Sequence, residues 1–228
     1  MLLRLGQLQD DPRGFFILLL AITISLLVGL TFHEFSHAFV ADRLGDSGPR
    51  RDGRISLNPL HHLDPTGTLM MFFVGFGWAK PVQVNPNALR NGPSLGMATV
   101  AAAGPISNFI IAALCALPLR FGLVDTALGR PWSQFTASNY LALLLLYIVL
   151  INVVLGVFNL LPLAPLDGSR VAQALLPGEA GVFFRRIEPY GMGILFLLVM
   201  VSFMTGGRID PIGGIIGPIQ RAVLDLLL

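Results

Sequence analysis

The chain has 228 residues, 54% of them hydrophobic and only 12% charged, with a net charge of +2. A soluble domain carries about 25% charged residues. With a mean hydropathy of +0.73, too little polar surface remains to coat a globule, which excludes a soluble enzyme, a disordered chain and a coiled coil. The near balance of 15 basic and 13 acidic residues gives no grounds for a nucleic-acid partner. A single cysteine, Cys115, cannot form an internal disulfide.

A spanning helix needs about 20 mostly apolar residues. Four stretches meet that length, near 15–41, 95–117, 139–161 and 189–206. Arg4 and Arg13 precede the first, as in a targeting segment, but the stretch outruns a signal-peptide core and no small-residue cleavage site ends it. It therefore reads as a retained helix. Between the first and second spans, Met70–Val84 reads as a hairpin, rich in glycine and aromatic residues and closed by Lys80-Pro81-Val82. Such backbone can enter a bilayer only where protein or a wet cavity covers it. After the fourth span, Pro211–Ile219 holds several glycines and two prolines and could be a re-entrant or interfacial tail. The expected architecture is an all-α polytopic membrane protein with about four transmembrane helices and a small membrane-associated β-hairpin or re-entrant segment. It forms one integral-membrane domain over 1–228, with a core at about 15–170 and a C-terminal helix and tail at 189–228.

Loop charge sets the orientation. Arg43, Arg50, Arg51, Arg54, Lys80 and Arg90 follow the first span, and Arg170, Arg185 and Arg186 follow the third. The opposite side carries the smaller set, Arg4, Arg13, Arg120, Arg130, Arg208 and Arg221. The positive-inside rule puts the larger set in the cytoplasm and both termini outside.

Residues 33–37 read His-Glu-Phe-Ser-His. Histidines at i and i+4 share one face of a helix. They can hold one zinc ion while the glutamate between them serves as general base on a water that the metal activates. Glu34 lies within an apolar segment, where an ionisable group is costly unless it has a function or a partner. The alternatives are histidines satisfied by neighbouring helices, or a helix that ends near Thr31 and leaves His33 in interfacial water.

Zinc needs a third protein ligand. The extended motif of one soluble protease class would place glycine at 40 and histidine at 43, where this chain has Val40 and Arg43. Asp42, Asp46, Asp52 and Asp64 read as a solvated loop beside arginines, and the adjacent His61 and His62 as interfacial residues with a smaller claim on a metal. The better candidate is Asp167, in Asn159-Leu160-Leu161-Pro162-Leu163-Ala164-Pro165-Leu166-Asp167-Gly168. The first and third spans run in the same direction, so Asp167 and the histidine motif share one end of the bundle. An ordinary Asp-Gly turn at a helix terminus is the competing reading.

The motif His33-Glu34-Phe35-Ser36-His37, followed by Asn159-x-x-Pro162-x-x-Pro165-Leu166-Asp167-Gly168, resembles the site-2 protease family of intramembrane zinc metalloproteases. Gly104-Pro105-Ile106-Ser107-Asn108, Gly77-Trp78-Ala79-Lys80-Pro81-Val82 and the run from Ser56 to Gly67 match as well, so the resemblance extends from about residue 30 to about 170. It implies that His33, His37 and Asp167 ligate one zinc ion and that Glu34 is the catalytic base. Asn159 and Asn108 would bind the oxyanion or the substrate backbone. Relatives with a PDZ or CBS domain are longer, so this chain resembles the minimal members. The implied substrates are transmembrane proteins in the lipid bilayer of a bacterial plasma membrane, cut toward the cytoplasmic side, with the hairpin at 70–84 receiving the unwound strand. Substrate identity and oligomeric state stay open. A membrane metal-ion transporter or sensor is the alternative, since intramembrane His, Glu and Asp also line ion pathways.

Overall fold

The computed structural model describes residues 11–67, 70, 79–126, 129, 131–176 and 178–228. Its helices, in chain order, are α1 (Pro12–Arg43), the short α2 (Gly48–Arg51), α3 (Pro93–Arg120), α4 (Ala137–Asn159), α5 (Asp167–Leu175), α6 (Gly178–Ile187), α7 (Gly191–Met204) and α8 (Pro211–Leu227). α1, α3 and α4 are long and apolar enough to cross a membrane, as is the helical run Gly178–Met204 that joins α6 to α7. The protein is thus an integral membrane protein built on four candidate spans.

Local signals fix the ends. Asp11 caps α1 by accepting from the Gly14 amide, and Pro12 sits in the first turn, where no amide donor is missed. α1 has 32 residues, about 48 Å at 1.5 Å per residue, against about 30 Å of hydrocarbon. It is therefore longer than one span needs, and its last turn is polar, with Asp42 and Arg43. α4 begins with a reciprocal cap between Thr136 and Asn139. That cap explains why the helix starts two residues ahead of the expected 139; the helix ends at Asn159.

α1, α3 and α4 pack on one another, and α5 packs against α3. Small residues let the backbones approach. A methyl group on Gly29 of α1 would lie 2.7 Å from the Leu155 side chain, and one on Gly156 would lie 2.9 Å from the Phe109 ring. This is the packing expected where lipid supplies no hydrophobic drive between helices.

Two expectations change. The stretch at 211–219 is regular helix and not an irregular tail. It opens α8, capped by Asp210 on the Gly213 amide. Ile212, Ile216, Val223, Leu224 and Leu227 then lie against a cluster of Ala112, Ala116, Val149, Val153 and Val157. One apolar stripe at helical spacing outweighs the poor helix propensity of its glycines. The β-hairpin over 70–84 is not borne out: no strand occurs among the described residues, and residues 71–78 lie outside them. Ala79 makes an isolated antiparallel bridge with Leu63. Beyond it the buried Arg54 guanidinium donates to the carbonyls of His61, Lys80 and Pro81, at 2.5, 3.2 and 3.2 Å. A cation holding carbonyls, with Pro81 offering no amide donor, takes the place of a ladder.

Candidate active site

The site forms where the C-terminal half of α1 meets α3 and the start of α5. His33 and His37 lie one turn apart and are both buried. Their rings meet edge to face with centroids 4.6 Å apart. Asp167, the first residue of α5, closes the group: its Oδ2 lies 3.0 Å from His33 Nε2 and 3.2 Å from His37 Nε2. Tetrahedral ligands at zinc bond lengths of about 2.0–2.1 Å sit about 3.3 Å from one another, so these separations suit one small ion. Among the described residues this is the one group of three His, Cys, Asp or Glu side chains able to share a metal.

The donor chemistry fits a metal as well. Asp167 Oδ2 is buried without a hydrogen-bond partner, a cost that a cation would remove. The far nitrogen of each histidine is engaged elsewhere. His37 Nδ1 donates to the Val100 carbonyl at 2.7 Å, and His33 Nδ1 donates to Asn108 Oδ1 at 2.7 Å. Each ring thereby presents Nε2 as a lone pair, the usual arrangement of metal-binding histidine. Glu34 is buried between them in sequence.

Two glycines make the approach possible. A methyl group on Gly104 of α3 would lie 2.5 Å from His37 Nε2 and 2.6 Å from His33 Cε1. Gly168 lies against the carbonyls of Leu160 and Leu161, so that the turn after α4 folds back and delivers Asp167.

Other expected residues fall elsewhere. His61 is exposed and bonds the Gly53 carbonyl at 3.1 Å, while His62 is fully buried and bonds the Ser56 carbonyl at 2.7 Å. Neither joins the cluster. Asp42 pairs with Arg50, but from the last turn of α1 and not from a loop. Asp46, by contrast, is buried and accepts from the amides of Gly48 and Asn85, so it ties the loop together. Asn159 closes α4, half-buried, with its amide donating to the Leu155 carbonyl. Asn108 is fully buried. Its Oδ1 faces His33, and its Nδ2 donates to Gly29 O at 3.1 Å and to Asn152 Oδ1 at 2.8 Å. No donor is left over for a substrate. Asn152 was not singled out by the sequence reading, although an amide in the middle of an uncharged span was a signal for it.

The sequence profile of peptidase family M50 matches residues 121–202, which include Asp167. YwhC of Bacillus subtilis, provisionally named a zinc metalloprotease, is 36% identical over 213 residues, covering 91% of this chain and 89% of that protein. The chain belongs to peptidase family M50. Rip2 of Mycolicibacterium smegmatis, with the same provisional name, is 31% identical over 84% of this chain and 68% of its own length. A zinc metalloprotease of Methanocaldococcus jannaschii is 27% identical over 79% of this chain but only 41% of its own. No solved structure matches. As an M50 peptidase, of the site-2 protease family, the protein is an intramembrane zinc metalloprotease.

Proposed function

We propose that His33, His37 and Asp167 hold the zinc ion of this M50 peptidase, that Glu34 is its general base, and that it cleaves transmembrane proteins near the cytoplasmic face of the bilayer. The convergence of His33 Nε2, His37 Nε2 and Asp167 Oδ2 carries the ligand assignment. A zinc ion held by these residues would supply Lewis-acid polarisation of the scissile carbonyl and would make water acidic enough to give up a proton near neutral pH. Glu34, next to one ligand and three residues from the other, takes that proton and returns it to the leaving amine. Asn159 supplies a donor to the developing oxyanion, in keeping with its place in the Asn-x-x-Pro motif. Asn108 serves instead to hold His33. A helical substrate must unwind first, because its carbonyls are otherwise tied up in the helix.

The cytoplasmic placement is supported by Arg43, Arg50, Arg51, Arg90, Arg170, Arg185 and Arg186, which follow the first and third spans in sequence, as the site residues His33 and His37 lie toward the end of the first span and Asp167 just past the end of the third. His33 lies ten residues before the end of α1, about 15 Å at 1.5 Å per residue, so water can reach it from that surface.

The test is Glu34→Gln in the purified full-length protein. Zinc stays at about one per chain while cleavage of a single-span substrate disappears. Cleavage at the wild-type rate would remove Glu34 as base.

A further inference from the structure

The amide chain behind His33 has a direction, and backbone carbonyls set it. A carbonyl can only accept. The Asn108 group facing Gly29 O is therefore its NH2, which turns Oδ1 toward His33. The Asn152 group facing Ile148 O, at 2.8 Å, is likewise its NH2, which turns Oδ1 toward Asn108. Each amide has one polarity, and its only consistent end is a proton on His33 Nδ1. All three links are buried, Asn108 and Asn152 completely, so no water competes for these bonds. His37 reaches the same state in one step through Val100 O.

We propose that Asn152, in the middle of α4 and in touch with the ligands only through Asn108, is a positioning residue that holds His33 in the Nδ1–H form and so presents Nε2 to the metal. The inference rests on the reading of His33 as a ligand. A hydrocarbon-bound helix gains nothing by burying an amide it could replace with leucine, apart from the bonds that amide makes. Here those bonds run from the ladder of one helix, through a second helix, to a side chain of a third. Partners behind metal-bound histidines are worth about 10- to 100-fold in metal affinity, and a residue once removed belongs at the lower end.

The experiment compares zinc affinity, by chelator competition, in detergent-purified wild-type, Asn152→Leu, Asn152→Asp and His33→Gln proteins. Asn152→Leu weakens binding about tenfold. Asn152→Asp, kept protonated by burial, retains an acceptor for Asn108 and a donor for Ile148 and stays within about threefold of wild type. Equal losses in the two Asn152 variants would show that the donor and acceptor pattern at this position does not set the affinity, and would overturn the proposal. If His33→Gln loses zinc while Asn152→Leu does not, the relay alone falls; if His33→Gln binds as wild type, the ligand reading falls and takes the relay with it. Should Asn152→Leu not fold, the nitrogen-15 histidine spectrum of the zinc-loaded wild type decides. It should report His33 protonated at Nδ1 and metal-bound at Nε2, and a metal-bound Nδ1 would overturn the proposal.

Discussion

α4 and the run Gly178–Met204 are both apolar and long enough to span, yet half of the most apolar window of α4 is buried within the protein against 11% for the later run. α4 carries Asn139 and Asn152 fully buried and packs against α1, α3 and α8. α7 shows Met192, Phe196, Leu197, Phe203 and Met204 to its surroundings. The contrast separates two jobs that composition alone cannot. Helices that build the site bury polar groups and pair them, whereas a helix at the edge meets lipid with plain hydrocarbon.

Substitutions can break or sharpen that contrast, and their effects should differ by orders of magnitude. The largest belongs to Asp167→Ala, which removes the one anionic donor of the proposed zinc site and should lower both bound zinc and cleavage by more than about a thousandfold. Leu197→Ala on the exposed face of α7 should leave cleavage within about twofold. If the two behave alike, the division into core and edge fails. Gly104→Val comes next. Its side chain would enter the space of both imidazoles, and because a displacement of about 1 Å can cost about a hundredfold, zinc-dependent cleavage should fall by that order while the protein still folds. Asn139→Leu should act on stability instead. It breaks the cap with Thr136 and the 2.9 Å bond to the Asp125 carbonyl, a loss of about 1–2 kcal/mol visible as a lower Tm in detergent, with the folded fraction cleaving normally. The smallest effect is expected at Arg50→Ala, whose side chain is 66% exposed in its pair with Asp42. Neither Tm nor cleavage should change measurably.

The histidine pair and Asp167 were legible because helical spacing and the rarity of charge both speak in one dimension. Four spans were legible for the same reason, through counts of apolar residues. The role of Gly104 and the importance of Asn152 were not, since each matters only through what the neighbouring helices bring to it. Asn108 was read as a substrate contact, and only the carbonyl of Gly29 on the adjacent helix reveals which way its amide must point. α8 was missed because glycine and proline dominate its first half, and the apolar stripe that docks it becomes visible only once Ile216 meets its cluster. The region at 70–84 misled for another reason: a glycine- and aromatic-rich run closed by Lys80-Pro81-Val82 suggested a hairpin, while Arg54, far off in sequence, holds the carbonyls of Lys80 and Pro81.

Gly168 presses against main-chain carbonyls of Leu160 and Leu161 and not against their side chains. The turn that carries Asp167 is therefore indifferent to much of its own spelling. Leu160, 42% exposed, is free to drift among apolar residues over evolutionary time without moving the carboxylate beside the histidines. Gly168 has no such latitude, because a single methyl would push the backbone of α5 away from the end of α4. Among descendants of this chain, the residue that bears no side chain should be the slowest to change, and the leucines around it the fastest.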